Sequence, residues 1–178
     1  EAEKSFHSDW ALKLVNQGLQ YMPDNNYLIS KAIKIYLWKN LNEQAISFTD
    51  KHLSLFKDNA TEIKNTGMVF FQKGIYAQAA RYWTRALELK PGEIMVQEYL
   101  AKCLWATGDR QKSHEILNEI IEKNQDNPDV LADVTDLLIQ FGAKEEATGY
   151  LKKLKKLAPS NRKVQKISGE TAQANGEI

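Results

Sequence analysis

The stretch ATEIKNTGMVFFQKGIYAQAARYWTRALELKPGE, residues 60–93, decides the fold. Its apolar and small residues fall into two sets. Ile63, Thr66, Gly67 and Phe70 form one stripe; Ala79, Tyr82, Trp83, Ala86 and Leu87 form the other. Spacings of three and four residues place side chains on one face of an α-helix. Between the stripes sits Gly74, a residue that readily takes the left-handed backbone that ends a helix. Pro91 closes the second stripe, because it cannot continue a helix. The stretch reads as two helices joined by a tight turn. Such a hairpin cannot bury both stripes alone; stacked neighbours bury them jointly.

Working outward, the same punctuation recurs with a period of 34 residues, at Gly74, Gly108 and Gly142, and one period earlier at Asn40. Asn also tolerates a left-handed backbone. Five residues after each comes a small side chain: Ala45, Ala79, Ser113 and Ala147, with Ala11 one period before them. Pro23, Pro91 and Pro159 share one phase. Internal repetition of this length marks a stacked helical array.

This phasing resembles the tetratricopeptide repeat (TPR). The copy at 60–93 carries Gly67, Phe70, Gly74, Tyr76, Ala79, Trp83, Ala86 and Pro91 at the family's signature places. The other copies are degraded. In 26–59, Tyr36 and Ala45 remain, but Thr49 stands for a large apolar residue and His52 for a small one. Copy 94–127 keeps Leu104, Gly108 and Leu117; copy 128–161 keeps Leu138, Gly142, Ala147, Leu151 and Pro159. The resemblance implies an all-α fold, a right-handed TPR superhelix (α-α solenoid) of about four and a half helical hairpins with a concave inner surface. Residues 1–178 form a single TPR domain in this reading. Residues 9–25 are the second helix of a truncated repeat. Repeats follow at 26–59, 60–93, 94–127 and 128–161, then a capping helix at 162–172, N-capped by Ser160, and a disordered tail at 173–178. The first half-repeat leaves Trp10, Leu14 and Leu19 short of cover.

Composition narrows the function. There are 24 Lys+Arg against 23 Asp+Glu, a formal charge of +1, which argues against a nucleic-acid binder. No apolar run approaches the ~20 residues of a membrane-spanning helix. The lone Cys103 permits no internal disulfide. Its helix-packing phase reads as a small core residue. His7, His52 and His114 lie in different repeats, and no paired ligand spacing accompanies them. Neither GxxxxGK[ST] nor GxGxxG is present, so there is no phosphate-cradling loop. We expect no enzyme, no metal and no cofactor. The chain opens Glu1-Ala2-Glu3-Lys4, which fits either a piece of a cytoplasmic protein or a processed bacterial periplasmic one and leaves the compartment open.

In the TPR frame the first helix of each hairpin lines the groove. Its inward positions hold aromatics, Met and Lys in three copies: Tyr27, Lys31, Lys34 and Trp38; Lys64, Met68 and Phe71; Met95, Tyr99, Lys102 and Trp105. The fourth copy offers Asp129, Asp133 and Asp136 instead. Aromatic residues dominate binding hot spots, and neighbouring Lys supplies charge complementarity. The reading is a non-catalytic adaptor or scaffold for a protein or peptide ligand. Tyr27, Trp38, Phe71, Tyr99 and Trp105 are its anchors, and Lys31, Lys34, Lys64 and Lys102 its charge complements. Phe71 and Trp105 are also candidates for packing; Trp38 and Tyr99 are placed where helix packing does not ask for them. The carboxylate clamp of chaperone-binding TPRs is disfavoured, since its slots hold Ser30, Lys34, Asn65, Met95 and Tyr99 in one frame and Lys64, Met68, Tyr99, Asp129 and Asp133 in the other. The alternative is a structural segment of a longer solenoid or a homo-oligomer, self-associating through residues 9–23. The basic run Lys152–Lys166 reads as a solvated face over buried Leu151, Leu154 and Leu157.

Overall fold

The computed structural model describes residues 2–52, 55 and 59–174. Among these, ten α-helices follow one another: α1 (Ala2–Tyr21), α2 (Asn26–Trp38), α3 (Asn42–His52), α4 (Ala60–Gln72), α5 (Tyr76–Leu89), α6 (Ile94–Thr107), α7 (Arg110–Lys123), α8 (Pro128–Gln140), α9 (Lys144–Leu157) and α10 (Arg162–Ala174). The chain forms two compact units, Glu1–Thr107 and Gly108–Ile178. Copies 26–59 and 60–93 lie in the first, and copy 128–161 lies in the second. The boundary runs between α6 and α7, the two helices of copy 94–127.

The turns use the residues that the period singled out. Asn40, Gly74, Gly108 and Gly142 all have positive φ, at 58°, 72°, 93° and 77°. At three of them the next backbone N–H reaches five residues back into the helix: Leu41 to Tyr36 at 2.9 Å, Ile75 to Phe70 at 3.0 Å, Ala143 to Leu138 at 2.9 Å. These bonds satisfy carbonyls that a helix end otherwise leaves open. A second periodic signal sits at the helix starts. Asn25, Asn59, Asn127 and Asn161 recur in one phase, and each side chain caps the helix after it by accepting a backbone N–H. Asn161, not Ser160, caps α10, accepting from Lys163 N at 2.9 Å and Val164 N at 3.3 Å. Its neighbours expose why: an Asn at this phase already does this work in three earlier copies. α10 runs to Ala174, two residues past the expected end, and residues 175–178 lie outside the described ones. α1 begins at Ala2, so residues 2–8 continue the helix expected from residue 9.

The two stripes of 60–93 meet as expected. Ile63, Thr66, Gly67 and Phe70 are buried, as are Ala79, Tyr82, Trp83 and Ala86. Ala45, Ala79 and Ala147 are buried where α3, α5 and α9 meet the first helices of their hairpins, and Ser113 is buried on α7. Gly67 is the tightest point. A Cβ there would lie 2.8 Å from Trp83 Nε1 and 3.1 Å from Tyr82 Cβ. Ala normally gains up to about 1 kcal/mol over Gly in a helix, while overpacking costs about 1–3 kcal/mol. The Tyr82 Cβ is fixed to its backbone and cannot swing aside, so crowding wins. Gly67→Ala is expected to lower the urea midpoint; a raised midpoint would show that the Trp83 ring yields freely.

The degraded positions have partners too. Thr49 is buried, and its hydroxyl donates to the Ala45 carbonyl at 2.7 Å. The fully buried Tyr82 ring of α5 reaches it. Burial pushes the Tyr82 phenol far above its ordinary range, and a hydrogen bond with Thr49 works against that. A large residue at 49 would displace this ring. His52 Nδ1 donates to the Phe48 carbonyl at 2.8 Å, and its ring stacks on Phe48 at 4.2 Å. In the second unit, Leu117, Leu131, Val134, Leu138, Leu154 and Val164 form the core. Leu151 and Leu154 are buried beneath the Lys152–Lys156 run, but Leu157 is exposed. Leu157 is the last residue of α9 and lacks the cover expected from its spacing.

Candidate binding face

The sequence-predicted site residues all fall in the first unit, on α2, α4 and α6. Tyr27, Lys31, Lys34 and Trp38 are spaced four, three and four residues apart on α2, which puts them on one helix face. α2 packs on α4 through a buried contact between the Ser30 and Thr66 hydroxyls at 3.0 Å. α4 and α6 meet through Phe71 and Tyr99, whose ring centroids are 5.2 Å apart at 73°.

The structure divides the five aromatic anchors. Tyr27 and Trp38 stand out of the surface, 60% and 66% exposed, and Met95 joins them at 57%. Phe71 and Tyr99 are half-buried and belong to one aromatic cluster. Phe71 packs against Tyr76 at 5.4 Å and Trp83 at 5.5 Å, and Trp83 packs against Tyr99 at 5.0 Å. Edge-to-face and tilted pairs of this kind add about 0.5–1.5 kcal/mol each beyond area burial. The expectation that helix packing does not use Tyr99 is therefore corrected: Tyr99 closes the seam between α4, α5 and α6. Trp105 is half-buried and makes its own contact.

The four lysines divide as well. Lys34 Nζ meets Glu62 at 2.8 Å across α2 and α4, and Lys64 Nζ meets Glu93 at 2.5 Å, just before α6. The first joins one hairpin to the next, and the second ties α4 to the segment that leads into α6. Glu93 occupies the slot that Asn fills in the other copies; its side chain serves Lys64 and Lys90 instead. Burial pushes the Glu62 carboxyl up, but the hydrogen bond and charge of Lys34, with the charge of Lys31, hold it below the ordinary 4.5. The hydrogen bond of Lys64 chiefly holds Glu93 low as well. Lys31 and Lys102 instead lie over the rings of Tyr27 and Tyr99, each 5.1 Å from the centroid.

A depressed carboxyl stabilises the fold above its unfolded pKa, and that stability is lost as pH falls through the folded value. The contributions of Glu62 and Glu93 are thus complete at neutral pH and fade below about 4.5. Glu62→Gln is expected to cost about 1 kcal/mol at pH 7 and to lose less than the parent chain between pH 5 and pH 3. Urea midpoints at the three pH values check it; parallel losses would show that the pair contributes nothing.

The acidic copy is engaged differently from the expectation of an open carboxylate face. Asp129 accepts from Asn161 Nδ2 at 2.9 Å, Asp133 pairs with Lys163 at 2.6 Å, and Asp136 accepts from Gln140 Nε2 at 2.7 Å. Residues at the start of α10 cover two of the three. Cys103 is fully buried, and burial pushes its thiol up to about 12. Among the described residues no group of three or more His, Cys, Asp or Glu is arranged to hold a metal ion, and no helix is long and apolar enough to cross a membrane.

A family model described as tetratricopeptide repeat matches residues 70–132, the span from Phe70 through the second glycine turn to α8. The chain carries tetratricopeptide repeats. Its fold resembles two solved structures. One is YrrB, described as a TPR protein with an unusual peptide-binding site: TM-score 0.57, 17% identity, 94% of this chain and 86% of that one. The other is MamA: TM-score 0.57, 19% identity, 96% of this chain and 94% of that one. At these identities the likeness is one of fold. Among curated proteins, the human protein O-mannosyl-transferase TMTC1 is 30% identical over 126 residues. Those residues are 68% of this chain and 14% of the human protein, so the TPR chain spans a small part of that relative's length.

Proposed function

We propose that this TPR chain is a non-catalytic adaptor that binds a peptide segment or a partner helix on the face of α2, α4 and α6. The carrying observation is the exposure of Tyr27, Trp38 and Met95 on that one face, beside the aromatic cluster at Phe71 and Tyr99. Large apolar side chains grouped on a surface mark a contact site, and Trp and Tyr are the residues that anchor such contacts. The fold it shares with YrrB, which has a peptide-binding site, supports the same use. The buried Cys103 thiol, held protonated at neutral pH, supports the non-catalytic reading. Selection of a displayed random-peptide library on the immobilised chain tests the adaptor. Binders that lose affinity for the Trp38→Ala variant support it; binders indifferent to Trp38, Tyr27 and Met95 place the site elsewhere.

A second reading rests on α1. Trp10, Leu14 and Tyr21 share one face of that helix and are 59%, 45% and 85% exposed. The flank of that face packs on α2, with Gly18 against Leu28. We propose this stripe as a self-association surface. Light scattering across a concentration series is expected to show a mass that climbs above 20.3 kDa, and Trp10→Ser with Leu14→Ser returns it to the monomer. A constant monomer mass at high concentration ends this reading without touching the first.

A further inference from the structure

The charges around the aromatic anchors point to one class of ligand. Glu62 lies against Lys34 and within the field of Lys31; Glu93 lies against Lys64 and Lys90. Each carboxylate thus faces two ammonium groups. Lys102 adds a fifth, and the remaining acid of α6, Glu98, is itself engaged. Five cations against three anions leave this face positive, in a chain whose net charge is only +1. The surplus is localised. Among the described residues, Lys31 and Lys102 meet no carboxylate at ion-pair distance and sit instead on the faces of Tyr27 and Tyr99. A ring contacts one side of an ammonium and leaves its other N–H donors open to an acceptor. Each Lys–Tyr pair therefore presents a cation framed by apolar surface.

Resting on the adaptor reading above, we infer that the ligand is an acidic peptide, with one carboxylate for Lys31, one for Lys102 and apolar side chains between them. α4 separates the two lysines. Packed helices lie about 8–10 Å apart, so α2 and α6 are about 20 Å apart. An extended chain advances about 3.3 Å per residue, which spaces the two acids about six residues from one another. The apolar residues between them lie over Met68 and reach Trp38. An interior segment meets this requirement, because neither lysine needs a chain terminus.

The experiment is an array of nonapeptides with acetylated and amidated ends, which removes terminal charge. The second and eighth positions hold Glu, Gln or Lys, and the positions between are varied. Probed with the whole chain, the Glu set is expected to bind about tenfold more tightly than the Gln set, and the Lys set not at all. Added salt is expected to narrow the gap. In the Lys31→Ala, Lys102→Ala double variant, Glu and Gln sets converge while the ranking of the middle residues persists; circular dichroism confirms retained helicity. Equal binding of all three sets by the parent chain overturns the acidic class and leaves the adaptor standing. No binding in any set overturns both.

Discussion

Trp83→Ala is expected to cost about 3–5 kcal/mol of stability, the range for truncating a large aromatic residue in a packed core. Trp83 is 1% exposed and sits where three helices converge. Its ring faces Gly67 of α4, packs on Phe71, and meets Tyr99 of α6 at 5.0 Å. Truncation opens a cavity that these rings cannot close, since each is fixed by its own helix. Losses of that size approach the whole stability of a small domain, so the first unit is expected to unfold at much lower urea. Circular dichroism across a urea series reads the effect; a loss under about 1 kcal/mol would refute the three-helix seam. Trp83→Phe, which keeps most of the ring, is expected to recover part of the loss.

Trp38→Ala is expected to do the reverse. Its side chain is 66% exposed at the end of α2, so stability changes by no more than about 0.5 kcal/mol. Affinity for a selected peptide is expected to fall by about 2 kcal/mol or more, the size of a hot-spot loss, which is about thirtyfold or greater. Isothermal titration on the parent and variant, with urea midpoints for both, separates the two effects. Unchanged affinity would remove Trp38 from the site. Trp105→Ala is a poorer probe, because that ring is half-buried and already engaged; its loss mixes binding with stability.

Much of the fold was legible because it rests on backbone chemistry that recurs. Asn40, Gly74 and Gly142 adopt the left-handed turn for which their residue types are suited. Small residues at 45, 79 and 147 lie buried where paired helices meet, and Ser113 is buried as well. The Asn caps at 25, 59, 127 and 161 carried an equally regular signal, visible once an amide side chain is read as a partner for free N–H groups at a helix start. Ser160 lost to Asn161 for that reason. The breakdown at Thr49 was visible, but its cause was not: Tyr82, 33 residues further on, fills the space.

The site was only half legible. Periodicity assigns a residue to a helix face, and it brought Tyr27, Trp38, Phe71, Tyr99 and Trp105 to the same set of helices. It does not say how deep each lies. Depth depends on the neighbouring helix, which is distant in sequence: Phe71 and Trp83 bury Tyr99, while nothing comparable covers Trp38. The lysines follow the same logic. Lys34 finds a carboxylate 28 residues away on the next hairpin, and Lys64 one 29 residues away, just before α6; Lys31 and Lys102 find aromatic rings within their own helices. The sequence by itself determined the repeat, the turns, the helix class and the faces, because each follows from contacts within one hairpin. The tertiary structure alone decided which aromatic residues are core and which lysines keep their charge unmatched, because burial and ion pairing between helices are set by residues 16 to 29 positions away.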